Sequence, residues 1–119
     1  MKTGDFAEVR RSFDHSEMAA FSALAGTGVL PEAVPEPLIA AMFSYLLGVK
    51  LPGPGTNYLK QEMRFLRPAP LGVTLTARVE ISRLRPEKHL VDLWATCTTP
   101  EGSVICEGRS LVLAKDVSA

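Results

Sequence analysis

Residues 37–68 read PLIAAMFSYLLGVKLPGPGTNYLKQEMRFLRP, and the changes of pattern within this stretch decide the fold. Pro37 suits the first position of a helix, where its missing N–H is not needed for an intrahelical bond. Leu38, Ile39, Met42, Phe43, Leu46 and Leu47 follow, and residues 38–43 are apolar on every side. That pattern predicts a helix reaching Gly48 and wrapped on most faces rather than lying on a surface. The glycines and prolines of LPGPGT then impose a rigid turn. From Asn57 the pattern becomes that of a strand, predicted over 57–65.

Downstream, residues 74–84 alternate. Leu75, Ala77, Val79 and Ile81 share one face, and Thr74, Thr76, Arg78, Glu80 and Ser82 the other, so one face is buried and one is wet. Two more strands are predicted over 89–98 and 103–113. Turn signals at Arg67-Pro68, Arg85-Pro86-Glu87-Lys88 and Pro100-Glu101-Gly102 separate these segments. Upstream, Ser16 or Asp14 can cap a helix with Glu17 in its first turn and Met18, Phe21, Leu24 and Ala25 at helical spacing, stopped by Gly26. Three prolines and two glycines keep residues 26–37 irregular. With a first strand over 9–13, the expected architecture is α+β: a five-stranded antiparallel sheet on one apolar helix, forming a single domain over 1–119.

A chain of 119 residues has room for one such domain, since domains run to about 100–150 residues. Thirteen Lys and Arg balance thirteen Asp and Glu, which leaves no basic field for nucleic acid or acidic lipid. Apolar residues make up 46%, enough for a core, and a mean hydropathy of +0.12 favours covering apolar surface with a second copy or a sister subunit. The opening MKTGDFAEVRR has no apolar signal core, and no run reaches the roughly 18–20 apolar residues of a membrane span. A cytoplasmic protein is expected. Cys97 and Cys106 fall in neighbouring strands without metal-knuckle or disulfide spacing and read as buried reduced thiols; no metal and no cofactor is implied.

Several strings also resemble a known family: RSFDHSEMAAFSALAG at 11–26, LIAAMFSYLLG at 38–48, LPGPGTNYLKQEMRFLRP at 51–68, LTARVEISRLRPEK and EGSVICEGRSLVL. They are similar to the MaoC-like hotdog proteins, the (R)-specific enoyl-CoA hydratases and related dehydratases. The resemblance implies a sheet wrapped round a central helix. It also implies a dimer whose sheets join, and a tunnel for an acyl thioester of coenzyme A or acyl carrier protein. In that family a Gly-Asp-x-Asn-Pro-x-His segment after the first helix activates water. A His-Gly pair opens the central helix, where the glycine N–H holds the thioester carbonyl. Such a donor stabilises the developing enolate oxygen while carboxylate and imidazole move the proton.

This chain departs from the pattern there. Gly26 is followed by Thr27, the next stretch reads Gly28-Val29-Leu30-Pro31-Glu32, and no histidine follows Gly26 until His89. Eight residues separate Gly26 from Pro35, a shortened loop. Pro35 and Glu36 stand where the family has His-Gly, and Ala41 stands where carrier-protein dehydratases place their acid. Glu36 keeps a backbone N–H for the carbonyl. Glu32 and Glu36 are the candidate acids or bases, against the alternative that both are solvated loop residues. Leu38, Asn57 and Tyr58 are candidate substrate-binding residues, with core packing the alternative for Tyr58. His15 and His89 read as structural. Lys60, Arg64 and Arg67, with Arg83, Arg85 and Lys88, form local positive clusters that suit a CoA phosphate or a carrier's acidic face. Three functions follow from the resemblance: a lyase with a rearranged site, a non-catalytic subunit pairing with a sister hotdog chain, or a tunnel recruited for thioester hydrolysis, isomerisation or cyclisation.

Overall fold

The computed structural model describes residues 1–26 and 32–114. Its elements are β1 (Phe6–Arg11), α1 (His15–Ala25), α2 (Glu36–Tyr45), β2 (Asn57–Phe65), β3 (Leu75–Arg85), β4 (Leu90–Thr98) and β5 (Val104–Leu113). The five strands form one antiparallel sheet in the order β1-β3-β4-β5-β2. The α+β sheet-and-helix architecture is as expected. Differences lie at element ends: β1 begins three residues earlier and stops before Phe13, and His89 precedes β4 instead of opening it.

Asp14, not Ser16, caps α1. Its carboxylate accepts from the Glu17 N–H at 2.8 Å while the Glu17 side chain reaches back to the Asp14 N–H at 3.4 Å, a reciprocal box that satisfies two donors. Ser16 is inside the helix and donates to Asp14 at 2.9 Å. The Glu17 and Ser16 hydrogen bonds hold the exposed Asp14 carboxyl below its ordinary pKa. Met18 is buried, but Leu24 is 90% exposed and does not share the expected apolar face.

The α2 helix starts one residue before Pro37 and gives way to a wide π turn over Leu46–Lys50. Ile39, Met42, Phe43, Leu46 and Leu47 pack onto Leu75, Ala77, Val79 and Ile81 of β3 and Val91, Leu93 and Ala95 of β4, all in one core. Each large side chain buried there contributes roughly 1.5–3 kcal/mol. The wrapping is one-sided in the single chain, because Ala41, Ser44, Tyr45, Gly48 and Val49 remain exposed. Ser44 on the uncovered side meets Tyr58 of β2, an edge strand on which residues 57–62 are all exposed, while Ala41 and Tyr45 line a hollow with Val9 of β1 at the other edge.

After the π turn the chain reverses through Gly53, whose φ of 95° is open to glycine and strained for other residues. The Gly53 N–H donates to Leu47 O at 3.0 Å, and Thr56 Oγ1 donates to Gly53 O at 2.6 Å. These bonds deliver β2 into the sheet beside β5. Between them, Gly108 of β5 lies so close to β2 that a Cβ there would overlap the Glu62 carbonyl.

Candidate functional site

The first residue of α2 opens on a hollow of about 570 Å³, whose walls include Val34, Pro35, Glu36, Ile39, Phe65 and Arg67. Its rim is fixed by the Val34 N–H, which donates to Ala69 O at 2.9 Å and joins the lead-in of α2 to the connection after β2. A helix N-terminus carries unpaired N–H groups and positive potential, so a carbonyl or developing oxyanion is favoured there. Glu36 is exposed at this mouth. Its carboxylate also acts on the buried Cys106 thiol, which Cys97, burial and the charges of Glu36 and Glu107 together hold far above the ordinary thiol range. Cys97 and Cys106 face each other directly across β4 and β5, both buried and free, as the sequence suggested.

The other candidates do not converge on this hollow. Glu32 is exposed in a bend ahead of Val34. Residues 27–31 of the shortened loop lie outside the described residues. Leu38 lines a second hollow of about 300 Å³ with Val9, Phe13 and Tyr45. Asn57 lines a third, of about 190 Å³, with His89 and Leu113. Tyr58 turns toward the exposed side of α2, where its hydroxyl meets Ser44 Oγ at 3.3 Å. Burial raises the Tyr58 pKa, and the Ser44 hydrogen bond offsets part of that rise. Ser44 was not among the sequence candidates; eight residues beyond Glu36, it lies about 12 Å along the helix axis.

Three of the six residues in the expected positive clusters are neutralised by ion pairs. Lys60 pairs with Glu62 at 2.9 Å, Arg64 with Glu107 at 3.2 Å and Arg85 with Asp92 at 2.7 Å. Arg67 is past the end of β2 and, among the described residues, is the one cation on the wall of the first hollow. The sequence reading also missed Asp92, nearly buried on the face of β4 turned away from α2. It accepts from Arg85 and from Arg109 Nε at 2.8 Å. Burial pushes this carboxyl up, but the two guanidinium groups outweigh burial and hold it below the ordinary range. An acid inside the otherwise apolar 90–95 run, in step with Trp94 rather than with Val91 and Leu93, was the available signal. The two histidines are elsewhere: His15 is exposed at the start of α1, and His89 is on the third hollow.

A five-stranded antiparallel sheet packed on one apolar helix, with that helix's N-terminus opening on an apolar hollow, defines a hotdog protein. No family model matches the chain. It is 32% identical over 127 aligned positions to an (R)-specific enoyl-CoA hydratase of Rhodospirillum rubrum, covering 95% of this chain and 88% of the relative. Among solved structures it is similar to the (R)-hydratase of Aeromonas caviae involved in PHA biosynthesis. There the TM-score is 0.86 at 31% identity, with 97% of this chain and 98% of that one covered. A MaoC-like dehydratase of Rhodospirillum rubrum shares the fold, with a TM-score of 0.73, 18% identity and 99% and 96% coverage. The chain belongs to the MaoC-like hotdog family of enoyl-CoA hydratases and dehydratases.

Proposed function

We propose that this chain holds an acyl thioester, of coenzyme A or acyl carrier protein, without supplying the Asp and His that activate water in the hydratase pattern. The observation that carries this reading is the mouth of α2. It keeps the Glu36 N–H on an apolar hollow, while residues 27–31, which precede it in the sequence, contain no ionisable side chain and neither histidine lines the hollow. In this reading the carbonyl sits on the Glu36 N–H, Ile39 and Phe65 contact the apolar part, and Arg67 meets an anionic group of the carrier. Binding then persists where proton transfer has lost its groups. The hydratase alignment spans 127 positions, more than the 119 residues here, and so includes residues of the relative with no counterpart, as a shortened loop requires.

The chain acts, in our reading, as the non-catalytic subunit of a cytoplasmic hotdog pair, with a sister chain bringing the acid and base. The exposed edge strand β2 leaves room for a neighbouring chain, and the absence of ionisable side chains from residues 27–31 favours a sister chain that brings the acid and base over a lone lyase. A lone enzyme using Glu36 or Glu32 is the second reading, favoured by the position of the Glu36 carboxylate at the mouth.

Hydration of a short enoyl-CoA, followed by loss of the conjugated absorbance, separates the two. We expect no turnover by the chain alone and turnover on mixing with a sister hotdog chain that carries Asp and His. A thermal shift on adding acyl-CoA should be present in both cases. Turnover by the chain alone that vanishes in Glu36→Gln or Glu32→Gln overturns the subunit reading. Absence of any thermal shift with acyl-CoA or acyl carrier protein overturns thioester binding.

A further inference from the structure

The sheet face turned away from α2 carries an ordered pattern of charge that binding of a thioester does not use. Pairing register places Phe6, Glu80, Trp94, Arg109 and Glu62 side by side across β1, β3, β4, β5 and β2. The adjacent row reads Glu8, Arg78, Thr96, Glu107 and Arg64. Trp94 and Phe6 are 47% and 52% exposed at the surface of this face. It is the chain's single tryptophan.

About β4 three pairs of charges are antisymmetric, and Glu62 alone is matched by an uncharged residue, Phe6. Glu80 on one side answers Arg109 on the other, Arg78 answers Glu107, and Glu8 answers Arg64, while Trp94 and Thr96 lie on the line between. A two-fold axis parallel to β4 maps β3 onto β5 and β1 onto β2. Rotation about it therefore sets Glu80 of one copy over Arg109 of the other, Arg78 over Glu107 and Glu8 over Arg64, stacks Trp94 on Trp94, and leaves Glu62 over Phe6. The three answering pairs balance in charge and make the middle of the face complementary to itself, which suits a second copy better than a uniformly acidic or basic partner. Exposed tryptophan and arginine near the middle are the side chains that carry binding energy at interfaces.

We infer that two copies of this chain associate through the outer faces of their sheets, with Trp94 at the two-fold axis. The contact is separate from the β2 edge and does not depend on the thioester reading. Intrachain pairs such as Arg78 with Glu80 at 2.7 Å and Arg64 with Glu107 at 3.2 Å then share their charges with the facing copy. Because these groups are partly exposed, added salt weakens the contact.

Light scattering and Trp94 emission, recorded on the full chain through one dilution series, test this. The expected result is a molar mass that halves on dilution together with a red shift of the emission, both occurring at higher protein concentration when salt is raised. Arg78→Glu and Glu107→Arg each reverse two symmetry-related contacts and should weaken association about a hundredfold, taking roughly tenfold per contact. The double variant restores opposite charges across the axis and should recover association to within about threefold of the starting value, tenfold per contact being the unit of comparison. Thr96→Lys places like charges on each other at the axis and serves if Arg78→Glu does not fold. An emission maximum independent of concentration overturns the inference, as does a double variant no better than the single ones. Dissociation unaffected by Thr96→Lys also overturns it.

Discussion

Tyr58 donates its hydroxyl to Ser44 Oγ across 3.3 Å, tying the start of β2 to the exposed side of α2. The bond is long and partly wet, so Tyr58→Phe is expected to cost only about 0.5–1 kcal/mol of stability. Its larger signature is in alkali. The phenol is neutral when protonated, and burial raises its folded pKa above the ordinary 10.0. The native state therefore keeps this proton longer than the unfolded state does. The resulting stability is intact below pH 10 and is lost as pH rises above it. Denaturant unfolding of Tyr58→Phe should show a shallower loss of stability above that pH than the unchanged chain. An identical alkaline slope in the two proteins would sink this account.

Asp92 is the one carboxylate taken nearly out of water on the outer face, and Arg85 and Arg109 are the reason it stays charged. Asp92→Asn leaves two guanidinium groups facing a neutral amide. Breaking a fully buried pair costs 3–5 kcal/mol, and the partial exposure of both arginines brings the expected loss to about 2 kcal/mol. Its folded pKa lies below the unfolded value of 3.8, so the stabilisation is present above that value and disappears as pH falls through the folded pKa. The difference in stability between the two proteins should thus be large at pH 7 and shrink toward pH 2. A constant difference across that range rules out ionisation of Asp92 as the cause.

These two sites show what a linear pattern reveals and what it hides. The β3 strand was legible because Leu75, Ala77, Val79 and Ile81 alternate with polar residues, and the structure buries those four and not their neighbours. β1 was misplaced because it is an edge strand in which residues of both faces are half exposed, so burial imposes no clear alternation. The end of α2 was blurred because a π turn keeps the same apolar residues inward while widening the backbone. At the candidate site, Glu36 was correctly placed at the helix start, since Pro37 marks that start. The separation of Leu38 and Asn57 into other hollows depends on which side of α2 each faces and on where β2 docks, which local spacing does not encode. Asp92 and its arginines meet only through the pairing of β3, β4 and β5.

Gly108 permits the close approach of β2 to β5 opposite Met63. A methyl group there would overlap the Glu62 carbonyl, which is backbone and cannot rotate away. Gly108→Ala is expected to destabilise the fold by about 3 kcal/mol, at the upper end of overpacking costs, and to loosen β2 first. Amide hydrogen exchange should show lost protection in β2 with β3 and β4 little changed. Unchanged protection of residues 60–65 would show that the strand accommodates the methyl group.

The role assigned to the Glu36 N–H is separable from that of its carboxylate, because proline is tolerated at the first helical position and lacks the donor. Glu36→Ala removes the side chain that crowds the mouth and keeps the N–H, so acyl-CoA binding should be equal or tighter. Glu36→Pro removes both, and loss of one hydrogen bond of about 1 kcal/mol corresponds to roughly fivefold weaker binding than in Glu36→Ala. Helix content by circular dichroism should be the same in the two variants. Titration calorimetry with a saturated acyl-CoA, which cannot turn over, measures the difference without reference to catalysis. Equal affinities in Glu36→Ala and Glu36→Pro would place the carbonyl elsewhere and leave the helix mouth without a part in thioester recognition.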